Sequence, residues 1–83
     1  MAAIRVLYFA GLRDLVERAE ESLELPGSVA TVAELARHLE RVHPELAGRL
    51  KSVRLAVNES FANPEDAVGA GDVVALIPPV AGG

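Results

Sequence analysis

The chain of 83 residues contains no cysteine and no tryptophan. Without cysteine it can form neither a disulfide nor a thiolate metal site, and it has no cysteine nucleophile. Its aromatic residues are only Tyr8, Phe9 and Phe61, and its only lysine is Lys51. Hydrophobic residues nevertheless make up 51% of the sequence, so one small domain can still bury a core without covalent staples.

The charge of the chain argues against a nucleic acid partner, and the lack of a long apolar run argues against a membrane partner. The formal net charge is −4 and the basic residues are scattered, whereas a nucleic-acid binder shows a basic patch, often with stacking aromatics. No apolar run approaches the roughly 20 residues of a membrane span. The first residues run directly into a strand pattern without a signal-peptide layout. We therefore expect no nucleic acid partner, no membrane partner and a cytoplasmic location.

The N-terminal third predicts a strand, a short helix and a second strand. Residues 4–10 are apolar on both faces, which is typical of a buried central strand, and Gly11 is expected to end it. Apolar residues at helical spacing predict a helix over 12–19. Residues 22–25 alternate polar with apolar, as in a strand with one solvated face, before Pro26-Gly27.

The main helix has the clearest signals in the sequence. Thr31 and Glu34 have the spacing of a capping box. The helix should end at His43, because a residue before proline disfavours helical geometry. Leu46 and Leu50 are expected to continue the packing in an irregular segment. The predicted buried stripe is Val32, Leu35, Ala36, Leu39 and Val42.

The remaining segments predict an α+β fold. Residues 54–58 form a third strand, 61–62 a short return and 73–77 a second strand that is apolar on both faces. A mixed sheet follows, with its N- and C-terminal strands side by side and one main helix across one face. This element order is similar to the ubiquitin-like β-grasp. The predicted organisation is a β-grasp domain over 1–77 and a flexible, extended C-terminal Gly-Gly tail over 78–83.

A search for catalytic groups finds little. His38 and His43 are five residues apart, which is not the spacing of a helical metal pair, and both are expected to be plain surface histidines. Glu65 and Asp66 lie in a turn-rich loop, where solvation explains them. We therefore predict no metal site and no self-sufficient enzyme.

The tail, Pro78-Pro79-Val80-Ala81-Gly82-Gly83, offers chemistry of a different kind. Prolines favour an extended path, so six residues reach roughly 20 Å. Glycine lacks a Cβ, so Gly82 and Gly83 leave the terminal carboxylate unhindered. An ionised carboxylate needs activation before attack, most simply as an acyl-adenylate made by an ATP-using partner; sulfide or persulfide would convert it to a thiocarboxylate. The alternative is that small residues simply occur at a terminus.

Several motifs together resemble the small subunit of molybdopterin synthase, a family of β-grasp sulfur carriers. They cover the chain: Tyr8-Phe9-Ala10, Leu55-Ala56-Val57-Asn58, Gly71-Asp72-Val73-Val74-Ala75 and the tail. The most specific is the tail, since Gly-Gly alone also occurs in ubiquitin and in the sulfur carrier of thiazole synthesis. Leu76-Ile77 departs from the family, whose members often have aromatics there.

The resemblance implies a mechanism in molybdenum cofactor biosynthesis. An E1-like adenylyltransferase adenylates Gly83 with ATP, and a sulfurtransferase converts it to a thiocarboxylate. The tail, with Gly82 before the reacting group, then enters the large subunit of molybdopterin synthase, a heterotetramer. There it donates sulfur to cyclic pyranopterin monophosphate. The chain itself is expected to bind no cofactor, only the covalent acyl-adenylate or thiocarboxylate at Gly83.

A docking surface is expected beside the tail. We predict that Phe9, Phe61 and Ile77 form an exposed apolar patch on the sheet face opposite the main helix, the alternative being that all three belong to the core. The tail residues expected to contact the partner are Pro78, Pro79, Val80 and Ala81.

Three other functions are compatible with the same features. A ubiquitin-like modifier would be conjugated through Gly83 to lysines of target proteins, although a single lysine leaves little scope for polymeric chains. A β-grasp interaction module with an inert tail would lose nothing when Gly82 and Gly83 are deleted. A carrier for another pathway, such as thiazole synthesis, would share the tail chemistry.

Overall fold

The computed structural model describes residues 2–79. Five strands form a single sheet in the order β2-β1-β5-β3-β4. Two helices and two short 3₁₀ segments, Pro44–Leu46 and Leu50–Ser52, connect the strands. The strands are β1 (Ala2–Tyr8), β2 (Glu20–Leu25), β3 (Arg54–Val57), β4 (Ser60–Phe61) and β5 (Val73–Ile77), and the helices are α1 (Ala10–Val16) and α2 (Val32–Val42).

The sheet is mixed, and its first and last strands are neighbours as predicted. β1 runs parallel to β5 and antiparallel to β2, while β3 runs antiparallel to both β5 and β4. The two strands that are apolar on both faces, β1 and β5, therefore lie inside the sheet, where neither has a free edge. A mixed sheet with α2 across one face is the β-grasp arrangement that the element order indicated.

The core lies between the sheet and the helices. β1 directs Ile4, Val6 and Tyr8 towards α2, because alternate side chains of a strand point to the same face. Leu35 and Leu39 of α2 are fully buried against them. The other buried apolar residues of this cluster are Leu12, Val16, Leu25, Val32, Leu46, Leu50, Leu55, Val68, Val74 and Leu76.

The capping box predicted for α2 is present. The Thr31 hydroxyl accepts a hydrogen bond from the Glu34 amide at 3.3 Å, and the Glu34 carboxylate accepts one from the Thr31 amide at 3.0 Å. The same carboxylate accepts from the Ala30 amide at 2.9 Å. These backbone donors lower the pKa of Glu34. The first turn of α2 is thus fixed where the chain arrives from β2.

We expect Thr31→Ala to lower the free energy of unfolding by about 1 kcal/mol, since an N-cap hydroxyl satisfies an amide that alanine leaves unpaired. Thr31→Ser keeps that hydroxyl and is the matched control. Urea denaturation followed by circular dichroism measures both variants. Equal losses for alanine and serine would show that the methyl group of Thr31, and not its hydroxyl, stabilises this turn.

The boundaries of α1 differ from the prediction. β1 ends at Tyr8 rather than at Ala10, and the chain turns there, with Ala10 at a φ of +50°. Gly11 therefore lies inside α1 instead of ending a strand. The helix ends at Val16, three residues early, because Glu17 adopts a left-handed conformation at φ +65° and its amide donates to the Arg13 carbonyl at 2.8 Å.

His43 is the main error of the sequence interpretation, since it is not a plain surface histidine. Its side chain is only 14% exposed, and its Nε2 lies 2.5 Å from Glu21 Oε2. The Tyr8 hydroxyl donates to the same carboxylate oxygen at 2.5 Å, and the Tyr8 and His43 rings meet edge-to-face. Val42, predicted to be buried, is 40% exposed. The His43 ring, four residues after Leu39, therefore continues the buried stripe.

This cluster shifts the pKa of both of its acids. Burial, followed by the hydrogen bond to Glu21, raises the pKa of the Tyr8 hydroxyl. Burial also acts to raise the pKa of Glu21, but the hydrogen bonds from Tyr8 and His43 outweigh it, and the pKa of Glu21 lies below its ordinary value. The cluster thus holds a carboxylate in its charged form between β1, β2 and the end of α2.

We expect acid to weaken the fold partly through Glu21. Because the folded pKa of Glu21 is lower than its ordinary value of 4.5, its contribution is present above that pH and is lost as pH falls through the folded pKa. The difference in unfolding free energy between wild type and Glu21→Gln should therefore shrink on acidification, as urea denaturation at successive pH values can show. Tyr8→Phe removes one of the hydrogen bonds to this carboxylate and should move this loss to higher pH.

Candidate docking surface and tail exit

The sheet face opposite α2 has no helix over it in the described part of the chain. The part of this face around β5 is apolar, whereas an exposed Arg5–Glu20 ion pair lies on its β2 side. On this face β5 presents alternate residues, because Val74 and Leu76 point into the core. The strand pairing places Ala75 of β5 between Leu7 of β1 and Ala56 of β3. We call this surface the apolar patch; its members are Leu7, Phe9, Ala56, Phe61, Val73, Ala75 and Ile77.

The structure brings together the three residues predicted for this surface. Phe9 is 44% exposed, Phe61 is 58% exposed and Ile77 is half-buried. All three line one shallow cavity of about 300 Å³. The alternative that they are core residues is therefore wrong for both phenylalanines. Sequence reasoning missed Leu7, Val73 and Ala75, although the period-two pattern of the two buried strands assigns these residues to the same face.

Two charged side chains border the apolar patch. The guanidinium carbon of Arg54 lies 3.9 Å from the centroid of the Phe61 ring, a cation–π contact. Glu59 lines the cavity from the hairpin that joins β3 to β4. Both Asn58 and Glu59 have positive φ, at 52° and 71°, as two-residue hairpin turns require.

The hairpin is tied to the start of β5 by the Asn58 side chain. Asn58 Nδ2 donates to Asp72 Oδ1 at 3.0 Å, and Asn58 Oδ1 accepts from the Val73 amide at 2.9 Å. The Asn58 amide also donates to the Val73 carbonyl at 2.8 Å. These hydrogen bonds give Asn58 and Asp72 a structural role, because they fix the turn from which Glu59 projects.

The tail leaves the domain at the edge of the apolar patch. β5 ends at Ile77, which pairs with Arg54. Pro78 follows and lines a small depression with Leu12, Leu15 and Val53. The predicted site residues Val80, Ala81, Gly82 and Gly83 lie outside the described residues. A partner seated on the patch would therefore meet the start of the tail at Ile77 and Pro78.

Comparison with known proteins identifies the family. The model of the ThiS family matches residues 6–83, which is nearly the whole chain. The chain belongs to the ThiS family. Two curated relatives carry the name molybdopterin synthase sulfur carrier subunit. The one from Chlamydomonas reinhardtii is 38% identical over 96% of this chain and 98% of that protein. The one from Mycobacterium tuberculosis is 36% identical over the full length of both.

Solved structures confirm the ubiquitin-like fold of this ThiS-family chain. SAMP1 from Haloferax volcanii superimposes with a TM-score of 0.85 at 28% identity, covering 99% of this chain and all of that one. A putative molybdopterin converting factor subunit 1 from Pyrococcus furiosus gives 0.83 at 30% identity, covering 96% and 100%. The BexX/CysO complex of Amycolatopsis orientalis contains a chain that gives 0.72 at 28% identity, covering 96% and 99%. The resemblance seen in the sequence motifs is thus confirmed.

Other surfaces of the ThiS-family domain are weaker candidates for a functional site. No group of three His, Asp or Glu side chains that could hold a metal ion occurs among residues 2–79. None of the helices in this range is both long and apolar enough to cross a membrane. A groove of about 450 Å³ lies between α2 and β3, on the helix side of the sheet. The apolar patch is smaller, but it adjoins the tail exit and is therefore the better candidate site.

Proposed function

We propose that this chain is the sulfur carrier subunit of a molybdopterin synthase and acts in the cytoplasm. The observation that carries the proposal is the match, over essentially the full length of both chains, to curated relatives with that name. The tail from Pro78 to Gly83 supports the proposal because it offers an unhindered carboxylate. The domain supplies the docking surface and the tail supplies the reacting atom, so the chain needs a partner for every chemical step.

Loading of sulfur onto Gly83 requires two successive substitutions, the first at the α-phosphate of ATP and the second at the acyl carbon of Gly83. In the first, a carboxylate oxygen attacks the α-phosphate of ATP on an E1-like adenylyltransferase, and pyrophosphate leaves. In the second, a sulfur nucleophile attacks the acyl carbon and AMP leaves. Sulfide gives the thiocarboxylate directly, whereas a sulfurtransferase persulfide gives an acyl disulfide that a second thiol cleaves. Gly82 and Gly83 leave the carboxylate free to reach the α-phosphate and the acyl carbon open to the sulfur nucleophile.

Delivery requires docking of the apolar patch. We infer that Phe9, Phe61 and Ile77 seat against the large subunit of the synthase while Pro78 and Pro79 direct the tail into its active site. Val80 and Ala81 then contact the walls of the entry channel. The thiocarboxylate sulfur attacks a carbon of cyclic pyranopterin monophosphate and displaces an oxygen substituent, and water then cleaves the acyl–sulfur bond, which leaves the sulfur on the substrate and regenerates the Gly83 carboxylate. A partner subunit of this kind is supported by the BexX/CysO complex, in which a structurally similar chain is bound to a second protein.

The test is an intact mass measured after incubation with ATP, an E1-like enzyme and a sulfur source. The expected result is a gain equal to one oxygen-to-sulfur exchange, localised to Gly83 by fragmentation. Omission of ATP is the control and should abolish the gain. An unchanged mass under all conditions, with each partner shown to be active on its own carrier, would contradict the proposal.

A second candidate function is protein modification through Gly83. The solved structure of small archaeal modifier protein 1 from Haloferax volcanii favours it, with a TM-score of 0.84 at 27% identity. Both functions share adenylation and differ in the nucleophile, which is a lysine amine in modification. The same incubation with added cell extract would distinguish them. Gly83 in an isopeptide bond to other proteins would support modification, whereas the thiocarboxylate without such adducts would support the carrier.

A further inference from the structure

The apolar patch carries opposite charges at its two ends. Arg54 is the first residue of β3; its backbone pairs with Ile77, where the tail leaves, and its guanidinium lies over the Phe61 ring of β4. Glu59 lies in the hairpin at the other end of β3 and lines the patch cavity. Neither side chain joins an ion pair with another residue of the described range. The patch therefore has a direction along β3, with the positive charge over Phe61 on the β4 side and the negative charge at the hairpin.

The geometry leaves both charges available to a partner. The guanidinium carbon of Arg54 lies over the Phe61 ring, 3.9 Å from its centroid. The N–H donors of a guanidinium point outward in its plane, so a stacked arginine can still bind a carboxylate with two hydrogen bonds. Glu59 projects from a turn that Asn58 ties to Asp72 and Val73. The Arg54 guanidinium is thus held on the Phe61 ring, and Glu59 projects from a turn whose backbone is fixed. Both lie beside apolar surface, where desolvation by a partner strengthens charge pairing.

We propose that Arg54 and Glu59 determine how the partner is oriented on the apolar patch. The partner is the large subunit of the proposed synthase, so this inference rests on the proposed function. It presents a carboxylate to Arg54 on the β4 side and a cationic side chain to Glu59 at the hairpin. Apolar contact alone allows the partner to rotate on the patch, whereas two opposite charges at its ends select the one orientation that aligns the tail with the active site.

A second copy of this chain is the alternative occupant. Two patches facing each other antiparallel would place each Arg54 against the Glu59 of the other copy, so the pattern is self-complementary. The charge swap Arg54→Glu with Glu59→Arg separates the two cases. In a dimer both copies carry the swapped charges, so each residue 54 again faces an opposite charge at residue 59 of the other copy. Against the large subunit, which does not change, both contacts become repulsive.

The experiment measures the affinity and association rate of the large subunit at low and high salt. Replacing Arg54 with Gln removes one rim pair and should weaken binding by up to about fivefold. Arg54→Glu introduces repulsion and should weaken it by about tenfold or more at low salt. The double swap should be weaker than either single variant, and all differences should shrink at high salt. Thermal unfolding of each variant shows that the fold is kept.

Three results would overturn the proposal. Unchanged affinity for Arg54→Glu and Glu59→Arg, while Phe9→Asp abolishes binding, would show that the patch docks without using these charges. Unchanged affinity for Phe9→Asp as well would reject the docking surface itself, and with it the docking step of the proposed function. Sedimentation of the wild type as a dimer that Arg54→Glu dissociates and the double swap restores would assign the patch to a second copy. Should Arg54→Glu unfold, Arg54→Gln and Glu59→Arg provide the same comparison.

Discussion

A variant that lacks Gly82 and Gly83 is expected to form no thiocarboxylate and yet to bind the large subunit. It still ends in an α-carboxylate, now on Ala81, but this group lies two residues short of the reacting position and next to a Cβ. Every residue of the apolar patch stays in place. Sulfur transfer should fall below detection, since a shortened tail brings no sulfur to the active site. Because it still occupies the docking surface, the variant should inhibit sulfur transfer by the intact carrier. Cofactor formation by the reconstituted synthase measures both effects.

Gly83→Ala is the matched variant for this deletion. It keeps the length of the tail and its carboxylate, and it adds one methyl group next to the acyl carbon. Its loading rate should lie between those of the wild type and the deletion, because the added Cβ obstructs the narrow approach that glycine permits. Full activity of the deletion variant would contradict the carrier chemistry and would favour an interaction module with an inert tail.

The architecture of the sheet could be predicted from the sequence because its signals are local. Two strands that are apolar on both faces have to lie inside the sheet, and β1 and β5 do so. The capping box between Thr31 and Glu34 marked the start of α2 to the residue. The exposure of Phe9 and Phe61 was one of two alternatives that the sequence left open. The fold decides it, because α1 and α2 both pack on the other face of the sheet.

The errors arose where tertiary contacts outweigh local pattern. His43 follows Leu39 by four residues, so helical spacing places it on the buried face, but its polarity indicated the surface. Only the fold shows that Glu21, 22 residues away along the chain, supplies the carboxylate that makes this burial favourable. The early end of α1 depends in the same way on Glu17, whose left-handed conformation no residue preference indicates. The Arg54–Phe61 contact, too, requires the pairing of β3 with β4.

Docking should depend on Phe9 far more than folding does. Phe9→Asp places a charge in the apolar patch, and loss of a large aromatic contact of this kind typically costs about 2–4 kcal/mol of binding, roughly 30- to 1,000-fold. The fold should survive, because Phe9 is 44% exposed and occupies the N-cap of α1, where aspartate is a favoured residue. Calorimetric titration of the large subunit measures the affinity, and thermal unfolding measures the stability.

Val42→Asp is the control that makes this prediction specific. Val42 is similarly exposed, at 40%, but it lies on α2, across the sheet from the apolar patch. A charge at Val42 should leave the affinity for the large subunit within experimental error of the wild type. Equal losses at Val42 and Phe9 would mean that the partner does not distinguish the two faces. Loss at Phe9 alone, in a variant that remains folded, means that the exposed face of the sheet brings the tail to its acceptor.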